Sequence, residues 1–305
     1  MSNQTSTTDF LLLEFSSVRE LQIAQFIVFL SLYLATVAGN LLIISAVALD
    51  HRLHTPMYFF LTNLAVTDLG SVSVTVPKSM ANSLMNSREI SYVGCVTQVY
   101  LFLLFAGSDY ALLTIMAHDR YVAICNPLRY EAIMNKAACI QMAASAWLSG
   151  LLYAVLHTSC TFAMKFCSNS VNQFFCELPQ LLKISCSKLY LLENAFLVLS
   201  VTVAFGCFIF IVATYVKIFS TVLRMPASQG RQKAFSTCLP HLIVFSMLLF
   251  TGTLVYLRPI PHVSSHTNMS FAVIYSVVPP MMNPVIYSMR NKDIKVAMSK
   301  LLGLK

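Results

Sequence analysis

The sequence predicts an all-α membrane protein whose single domain is a seven-transmembrane-helix bundle. Three observations support this fold class: the scarcity of charge, the spacing of the apolar segments and the uneven distribution of Lys and Arg. Charged residues make up 10% and apolar residues 57% of the 305 residues, whereas soluble domains carry about 25% charged residues. The composition is therefore that of a membrane protein.

The apolar segments set the number of helices, because a helix needs roughly 20 mostly apolar residues to cross a bilayer. Seven segments meet or approach this length, namely residues 23–49, 57–80, 95–124, 138–164, 195–222, 235–257 and 269–287. The last is short and contains three prolines. The first twenty residues are polar and acidic, so we expect the first helix to act as its own targeting signal.

The distribution of Lys and Arg predicts the orientation, because cytoplasmic loops carry an excess of both. The N-terminal tail and the even-numbered connections hold 7 of the 20 basic residues, namely Arg19, Lys78, Arg88, Lys165, Lys183, Lys188 and Arg258. The other 13 lie in the odd-numbered connections and at the C-terminus. The N-terminus is therefore expected outside and the C-terminus inside. Residues 1–22 would form an extracellular tail, 23–287 the bundle, and 288–305 a cytoplasmic tail with a short amphipathic helix.

Cysteines and glycosylation signals agree with this topology. Asn3 and Asn268 both begin an N-glycosylation acceptor pattern on the side expected to be external, although Asn268 lies close to the membrane. Four of the nine cysteines lie on the same side, namely Cys95, Cys167, Cys176 and Cys186. An oxidising compartment allows them to pair, and three pairings are open. The histidines are scattered, which argues against a metal enzyme.

Two acids lie within the predicted helices, where an ionised carboxylate is costly and usually faces the bundle interior. Asp68 and Asp109 are near the middle of the second and third helices. They are the candidate site for a shared proton or a sodium ion. The alternative is that each is protonated and hydrogen-bonded to a neighbour such as Asn40 or Asn283. No other cofactor is expected.

Two further polar motifs are candidate switch elements. Pro284 follows Asn283 inside the seventh helix, where proline removes a hydrogen bond and produces either a hinge or a tolerated kink. Asp119 and Arg120 precede Tyr121 at the cytoplasmic end of the third helix, about 16 Å from Asp109 at 1.5 Å per residue. An arginine there is either held by a carboxylate in one state and released in another, or is an anchor at the membrane interface.

These motifs together resemble rhodopsin-like G protein-coupled receptors. Within that class the sequences LHTPMYFFL at 53–61, MAHDRYVAIC at 116–125, KAFSTC at 233–238 and PMMNP at 280–284 resemble the olfactory (odorant) receptor family. The resemblance covers the whole chain. His118, Pro240 and Leu249 depart from the family pattern, and the last two lie in the helix whose outward movement is expected to admit a G protein.

The resemblance implies roles for residues at matching positions. Cys95 would pair with Cys176, and Cys167 with Cys186. Coupling to the G protein would involve Asp119, Arg120, Tyr121, Tyr215, Asn283, Pro284 and Tyr287. The odorant pocket would be lined by Phe102, Leu103, Ala106, Gly107, Leu199, Ser200, Val203, Gly252, Thr253, Tyr256 and Val273. For each lining residue, ordinary core packing is the alternative.

A pocket with this lining suits a small, mostly hydrophobic volatile molecule with one or two hydrogen-bonding groups. Phe102 stands at the pocket level of the third helix, so an amine held by a carboxylate there is not expected. The resemblance implies a plasma membrane receptor that activates a stimulatory, olfactory-type heterotrimeric G protein and raises cyclic AMP. A chemosensory receptor acting outside the nose is the nearest alternative. A transporter lacks support because no repeated halves are visible, and an enzyme because no nucleophile–base pair or metal cluster is visible.

Overall fold

The computed structural model describes residues 9–14, 16, 18–187, 189–224, 235, 238–239, 241–250, 265–290 and 292–303, and these are mainly helical. The helices are α1 (Arg19–Leu49), α2 (Pro56–Met85), α3 (Tyr92–Cys125), α4 (Tyr130–Ile133), α5 (Lys136–Phe162), α6 (Leu178–Ile184), α7 (Tyr190–Arg224), α8 (His241–Phe250), α9 (Ser265–Arg290) and α10 (Lys292–Leu301). Short 3-10 turns occupy His51–Leu53 and Pro127–Arg129. The strands are β1 (Asp9–Leu12), β2 (Glu89–Ser91) and β3 (Ser170–Val171).

Six of the described helices are long and apolar enough to cross a membrane, namely α1, α2, α3, α5, α7 and α9. Five of them contain their predicted segment whole, and α5 ends at Phe162, two residues before the end of the predicted segment 138–164. The sixth predicted segment overlaps the shorter apolar helix α8, and its residues 251–257 lie outside the part of the chain that the structure describes. The helices extend beyond the apolar segments, because backbone hydrogen bonding continues into polar residues past the hydrocarbon layer. Thus α1 begins at Arg19 and α2 continues to Met85.

Local sequence signals account for several helix ends. Asn135 accepts a hydrogen bond from the Ala138 amide at 3.0 Å and caps α5. Ser91 caps α3 in the same way through the Gly94 amide at 3.1 Å. Pro56 begins α2, where its missing N–H is not needed. The residue after α2, Asn86, adopts a left-handed conformation that ends the helix.

Helix α3 is central and packs against α5, α2 and α7. The closest approach is to α5, where a Cβ added at Gly150 would lie 2.6 Å from the Leu104 carbonyl oxygen. Small residues permit such close packing of helices in a membrane. A polar contact joins α5 to α2, because the Trp147 indole donates to the Asn63 side-chain oxygen at 3.0 Å.

Helix α9 continues through three prolines, and α1 supplies a hydrogen bond that this helix lacks. Pro284 has no N–H to donate to the carbonyl of Pro280, four residues earlier. The buried Asn40 amide of α1 donates to that carbonyl instead, at 3.1 Å. A Cβ at the neighbouring Gly39 would lie 3.0 Å from the Pro284 ring, so the two helices approach closely here. An apolar medium offers no water to bond an orphaned carbonyl, and the Asn40 contact stabilises the proline-containing helix.

One end of the bundle is closed by strands and disulfides. Strand β1 lies between β2, with which it pairs antiparallel, and β3, with which it pairs in parallel. The structure contains both disulfides that the resemblance implied, Cys95–Cys176 and Cys167–Cys186. We call this the disulfide end and the other the opposite end.

Candidate functional site

The opposite end contains a buried acid–arginine cluster near the end of α3. The Arg120 guanidinium forms an ion pair with Asp119, with its Nε 2.9 Å from Asp119 Oδ2. Tyr130, in α4, donates to the other carboxylate oxygen at 2.7 Å. Asp119 is 1% exposed and Arg120 13% exposed, so the pair is largely removed from solvent. Of the two interpretations of Arg120, the geometry agrees with an arginine held by a carboxylate.

Aromatic hydroxyls surround this cluster from α7 and α9. Tyr215 of α7 forms a hydrogen bond with Nδ1 of His241 in α8 at 2.6 Å, and the two rings stack. Tyr287 of α9 is buried, and its hydroxyl has no hydrogen-bond partner among the described residues. Tyr121 packs beneath Lys217, whose ammonium lies 5.8 Å from the ring centroid. The Tyr215–His241 and Lys217–Tyr121 contacts join three helices, α3, α7 and α8, at the opposite end, and a helix movement would break them.

The two intramembrane acids are buried and have different partners. Asp68 accepts a hydrogen bond from the Asn283 amide at 2.8 Å, which connects α2 to α9. Asp109 of α3 accepts a short hydrogen bond from the Thr67 hydroxyl. The two carboxyl groups are close enough to interact electrostatically. The oxygen of the Asn283 amide has no hydrogen-bond partner among the described residues and remains able to accept.

At the disulfide end, the segment between β3 and α6 lies over the bundle, and we call these residues, 172–177, the cover. The Gln98 side chain of α3 accepts from the Cys176 amide at 2.7 Å and donates to the Val74 carbonyl at 2.8 Å. Phe175 is buried beside Phe102, with ring centroids 5.3 Å apart. The Cys95–Cys176 bond fixes this segment to the start of α3.

Glu177 is a buried acid in this cover that the sequence interpretation missed. Its carboxylate accepts from the Tyr275 hydroxyl of α9 at 2.8 Å. Burial raises the pKa of Glu177 from its ordinary value of 4.5 to about 7, and the hydrogen bond from Tyr275 partly opposes this. A glutamate that directly follows a disulfide cysteine is the signal that points to this position. The disulfide end of the bundle therefore holds an acid, Glu177, although α3 carries no acid at the level of Phe102.

The predicted pocket residues occupy several environments. Phe102 contacts the aromatic cover, and Leu103 is buried in the cluster around the Cys95–Cys176 disulfide. Gly107 lies against α5, where its Cβ would be 3.1 Å from the Gly150 Cα. Ala106 of α3 and Val273 of α9 are half-buried.

On α7 the predicted residues divide between two faces. Ser200 is half-buried and contacts α5, whereas Leu199 and Val203 are exposed on the outer face of α7. Gly252, Thr253 and Tyr256, together with the glycosylation signal at Asn3, lie outside the described residues.

A second polar cluster, also missed from the sequence, lies between α5 and α7. His157 contacts Glu193 and Ser200, and both His157 and Glu193 are fully buried. Glu193 comes before the apolar segment predicted for this helix, so its place inside the bundle follows only from the extra turn at the start of α7.

Several apolar helices, a cover tied by disulfides at one end and a buried acid–arginine cluster at the other define a helical, multi-pass membrane protein. The family model described as olfactory receptor matches residues 29–305. Human olfactory receptor 14A16 is 49% identical over 303 residues, covering 99% of this chain and 98% of the relative. Human olfactory receptor 14I1 is 50% identical over 302 residues, covering 99% and 97%. Gorilla olfactory receptor 1G1 is 43% identical over 304 residues, covering 99% and 97%.

The chain therefore belongs to the olfactory receptor family, as its motifs predicted. This family consists of G protein-coupled receptors and is not an enzyme class. The chain is accordingly a multi-pass protein of the plasma membrane.

Proposed function

We propose that this receptor binds small, mostly hydrophobic volatile molecules between its helices near the disulfide end and activates a stimulatory heterotrimeric G protein, which raises cyclic AMP. The observation that carries the proposal is the Asp119–Arg120–Tyr130 cluster, in a chain that belongs to the olfactory receptor family. A buried ion pair at the end of a helix can act as a two-state element. In the closed state the two charges bind each other, and in the open state the arginine is free to bind a partner protein.

The cluster supports coupling because its partners come from separate helices. While Asp119 holds the guanidinium, Arg120 is not available to another protein. Movement of α8 would break the Tyr215–His241 hydrogen bond and leave the Tyr215 hydroxyl able to bond elsewhere. Arg120, Tyr215 and Tyr287 would then line a cleft that receives a helix of the G protein.

The proposed orientation places the disulfide end outside the cell and the opposite end in the cytoplasm. Disulfides form in the oxidising exterior, and the opposite end carries most of the basic residues of the sequence. Helix α10 follows α9 at that end, with Ile294 and Ala297 buried and Lys295 and Lys300 exposed. This helix would lie along the inner membrane surface, where its lysines meet anionic lipid.

Activation would follow from differential affinity. An odorant that binds the open arrangement more tightly than the closed one shifts the population toward it, and equal affinity for both would produce no signal. Phe102 contacts both the cover and Tyr275 of α9, with ring centroids 6.0 Å apart in the latter pair. A ligand that displaces this ring would act on α3 and α9 together.

We also propose that a sodium ion binds between Asp68 and Asp109 in the closed state. Carboxylate and amide oxygens suit a hard cation, and the free Asn283 oxygen lies beside Asp68. One monovalent charge would offset the repulsion between the acids.

Cyclic AMP measurements test the proposed function. Cells expressing the chain with an olfactory-type G protein and a trafficking helper would be challenged with a diverse panel of volatiles. We expect a dose-dependent rise that Arg120→Ala abolishes at unchanged surface level. Arg52→Ala is the matched control, because Arg52 is an exposed cation at the same end that pairs with Asp50. Silence across the panel with verified surface staining, or full signalling by Arg120→Ala, would contradict the proposal.

A further inference from the structure

The buried cluster of Glu193, His157 and Ser200 forms a hydrogen-bonded chain from α7 to α5 and back to α7. His157 Nδ1 lies 2.5 Å from Glu193 Oε1, and His157 Nε2 lies 2.9 Å from Ser200 Oγ. The side chains of His157 and Glu193 are both 0% exposed. The Tyr153 ring packs edge-on against the imidazole, with centroids 4.6 Å apart. The imidazole and the carboxyl group are therefore removed from bulk solvent, and the positions of their protons follow from charge balance.

Charge balance requires the Glu193–His157 pair to be neutral overall, because a net buried charge without a partner is very costly. His157 is the ion-pair partner of Glu193 among the described residues. Three neutral arrangements exist. In one of them a neutral imidazole donates from Nδ1 to a protonated Glu193, whose own proton then lies on Oε2; that oxygen has no hydrogen-bond partner among the described residues, so a proton there is costly. Two arrangements remain. In one, an imidazolium donates from Nδ1 to the carboxylate and carries a second proton on Nε2. In the other, a protonated Glu193 donates to Nδ1, and the neutral imidazole carries its proton on Nε2.

Both arrangements place a proton on Nε2, so the imidazole donates to Ser200 and the Ser200 oxygen accepts. The hydroxyl proton of Ser200 must then point to another acceptor. Thr202, two residues later, donates its hydroxyl to the Val198 carbonyl of its own helix at 2.8 Å. Ser200 instead forms its hydrogen bond with His157, and no equivalent bond to the Phe196 carbonyl is formed.

Ser200 lies on the face of α7 that is turned toward the bundle. One turn later on that face, the Ala204 carbonyl accepts from the Tyr110 hydroxyl of α3 at 2.7 Å. Leu199 and Val203, on the adjacent face, are more than half exposed. The free hydroxyl proton of Ser200 is therefore presented to the bundle interior between α3 and α7.

We infer that the Glu193–His157 pair orients Ser200 as an obligate hydrogen-bond donor, and that the preferred ligands are acceptors without a donor of their own: ketones, aldehydes and esters. This inference rests on the proposed odorant-binding function and names the substrate class of the same site. An alcohol also accepts from Ser200, but its own O–H must then find a partner in a mostly apolar site or remain unpaired, which is costly. His157 and Glu193 are positioning residues, since they act on the ligand only through Ser200.

The proton position can be tested without any ligand. The full-length receptor, labelled with ¹⁵N-histidine and reconstituted in lipid nanodiscs, would be studied by NMR. The His157 signals among the seven histidines are those absent from the His157→Leu/Glu193→Leu variant, in which both members of the pair are removed together. We expect a protonated Nε2, identified by its one-bond N–H coupling. An unprotonated Nε2 overturns the inference, because Ser200 would then donate to the ring.

The ligand class is tested with shape-matched pairs in the cyclic AMP assay. Each ketone is compared with the analogue in which C=CH₂ replaces C=O, and with its secondary alcohol. Ser200→Ala should raise the EC50 for the ketone about tenfold, the loss of one hydrogen bond, and leave that for the methylidene analogue unchanged. His157→Leu/Glu193→Leu should produce a similar loss although Ser200 is retained, because the hydroxyl can then turn to the Phe196 carbonyl. Thr202→Val, which alters an exposed hydroxyl on the same helix, should change neither value.

The outcomes separate this inference from the proposed function. If volatiles activate the receptor but Ser200→Ala leaves the ratio of ketone to methylidene potency unchanged, the inference is wrong and the proposed function stands. If the effective ligands are those whose only polar group is a donor, the inference is also overturned. A panel that is silent at verified surface expression contradicts the proposed function, and the ligand class falls with it even if Nε2 is protonated.

Discussion

The hydrogen bond from Asn40 to the Pro280 carbonyl should stabilise α9 at its proline. Asn40 is fully buried and donates at 3.1 Å to the carbonyl that Pro284 cannot bond. Replacing Asn40 by Leu keeps the side-chain size and leaves this carbonyl orphaned. An unsatisfied buried polar group costs about 1–3 kcal/mol, and transmembrane polar contacts average about 0.6 kcal/mol. We therefore expect a loss of about 1–2 kcal/mol in the free energy of unfolding.

The assay is the thermal unfolding midpoint of the purified receptor in detergent, which should fall by roughly 2–8 °C at about 2–4 °C per kcal/mol. A double-mutant cycle makes the cause testable. Pro284→Ala restores an N–H that can bond to the Pro280 carbonyl, so Asn40→Leu should cost about 1 kcal/mol less in that background. Ser31→Ala is the control, because the Ser31 hydroxyl of α1 donates to its own helix at Ile27. An equal cost of Asn40→Leu in both backgrounds would refute this account of the kinked helix.

Three other predictions follow from the described contacts. Arg120→Lys should reduce signalling by at least tenfold at unchanged surface level, because in the proposed open state the guanidinium faces the G protein and lysine cannot reproduce its planar set of donors; wild-type efficacy in the cyclic AMP assay would count against it. Burial raises the pKa of Glu177 to about 7, so its stabilising contribution is complete below about pH 4.5 and is lost as the pH rises through 7, a change of about 3 kcal/mol at 1.36 kcal/mol per pKa unit. Glu177→Gln should remove the dependence of the thermal unfolding midpoint on pH between these two values. An unchanged dependence would contradict the raised pKa of Glu177. Gly150→Ala should lower the free energy of unfolding by more than about 2 kcal/mol, because the added Cβ meets the backbone of α3. Gly206→Ala is the control and should not lower it, because open space surrounds Gly206. Equal surface expression of the two variants would contradict the prediction, since it would show that α3 and α5 can separate freely.

The number and position of the apolar helices were predictable from the sequence because hydrophobic length alone determines whether a helix can cross a bilayer. Five described helices contain their predicted segments, α5 ends two residues before the end of its segment, and α8 overlaps the sixth. The motifs around Arg120 and Pro284 were recognisable because their local sequences are long and specific. The disulfide pairings were not derivable from spacing, since three pairings of four cysteines were open. Only the resemblance selected the pairing that the structure contains.

The contacts between distant residues could not be predicted, because each depends on the relative rotation and height of two helices. Glu193 and His157 are 36 positions apart, and neither carries a local signal for the other. Glu177 becomes buried only because the Cys95–Cys176 bond draws its segment over the bundle and against Tyr275. Hydrophobic periodicity shows which residues leave water, but it contains no information about which polar groups then meet.

The sequence alone thus determined the membrane-spanning segments and the family, and it predicted the residues proposed as a switch, because these depend on composition and on contiguous motifs. Tertiary packing determines the direction of the Ser200 hydroxyl, the hydrogen bond from Asn40 to the Pro280 carbonyl and the burial of Glu177 in the cover. In a medium without water, each buried polar group must find its partner in another part of the protein. The partner's identity is therefore a property of helix packing and not of the local sequence.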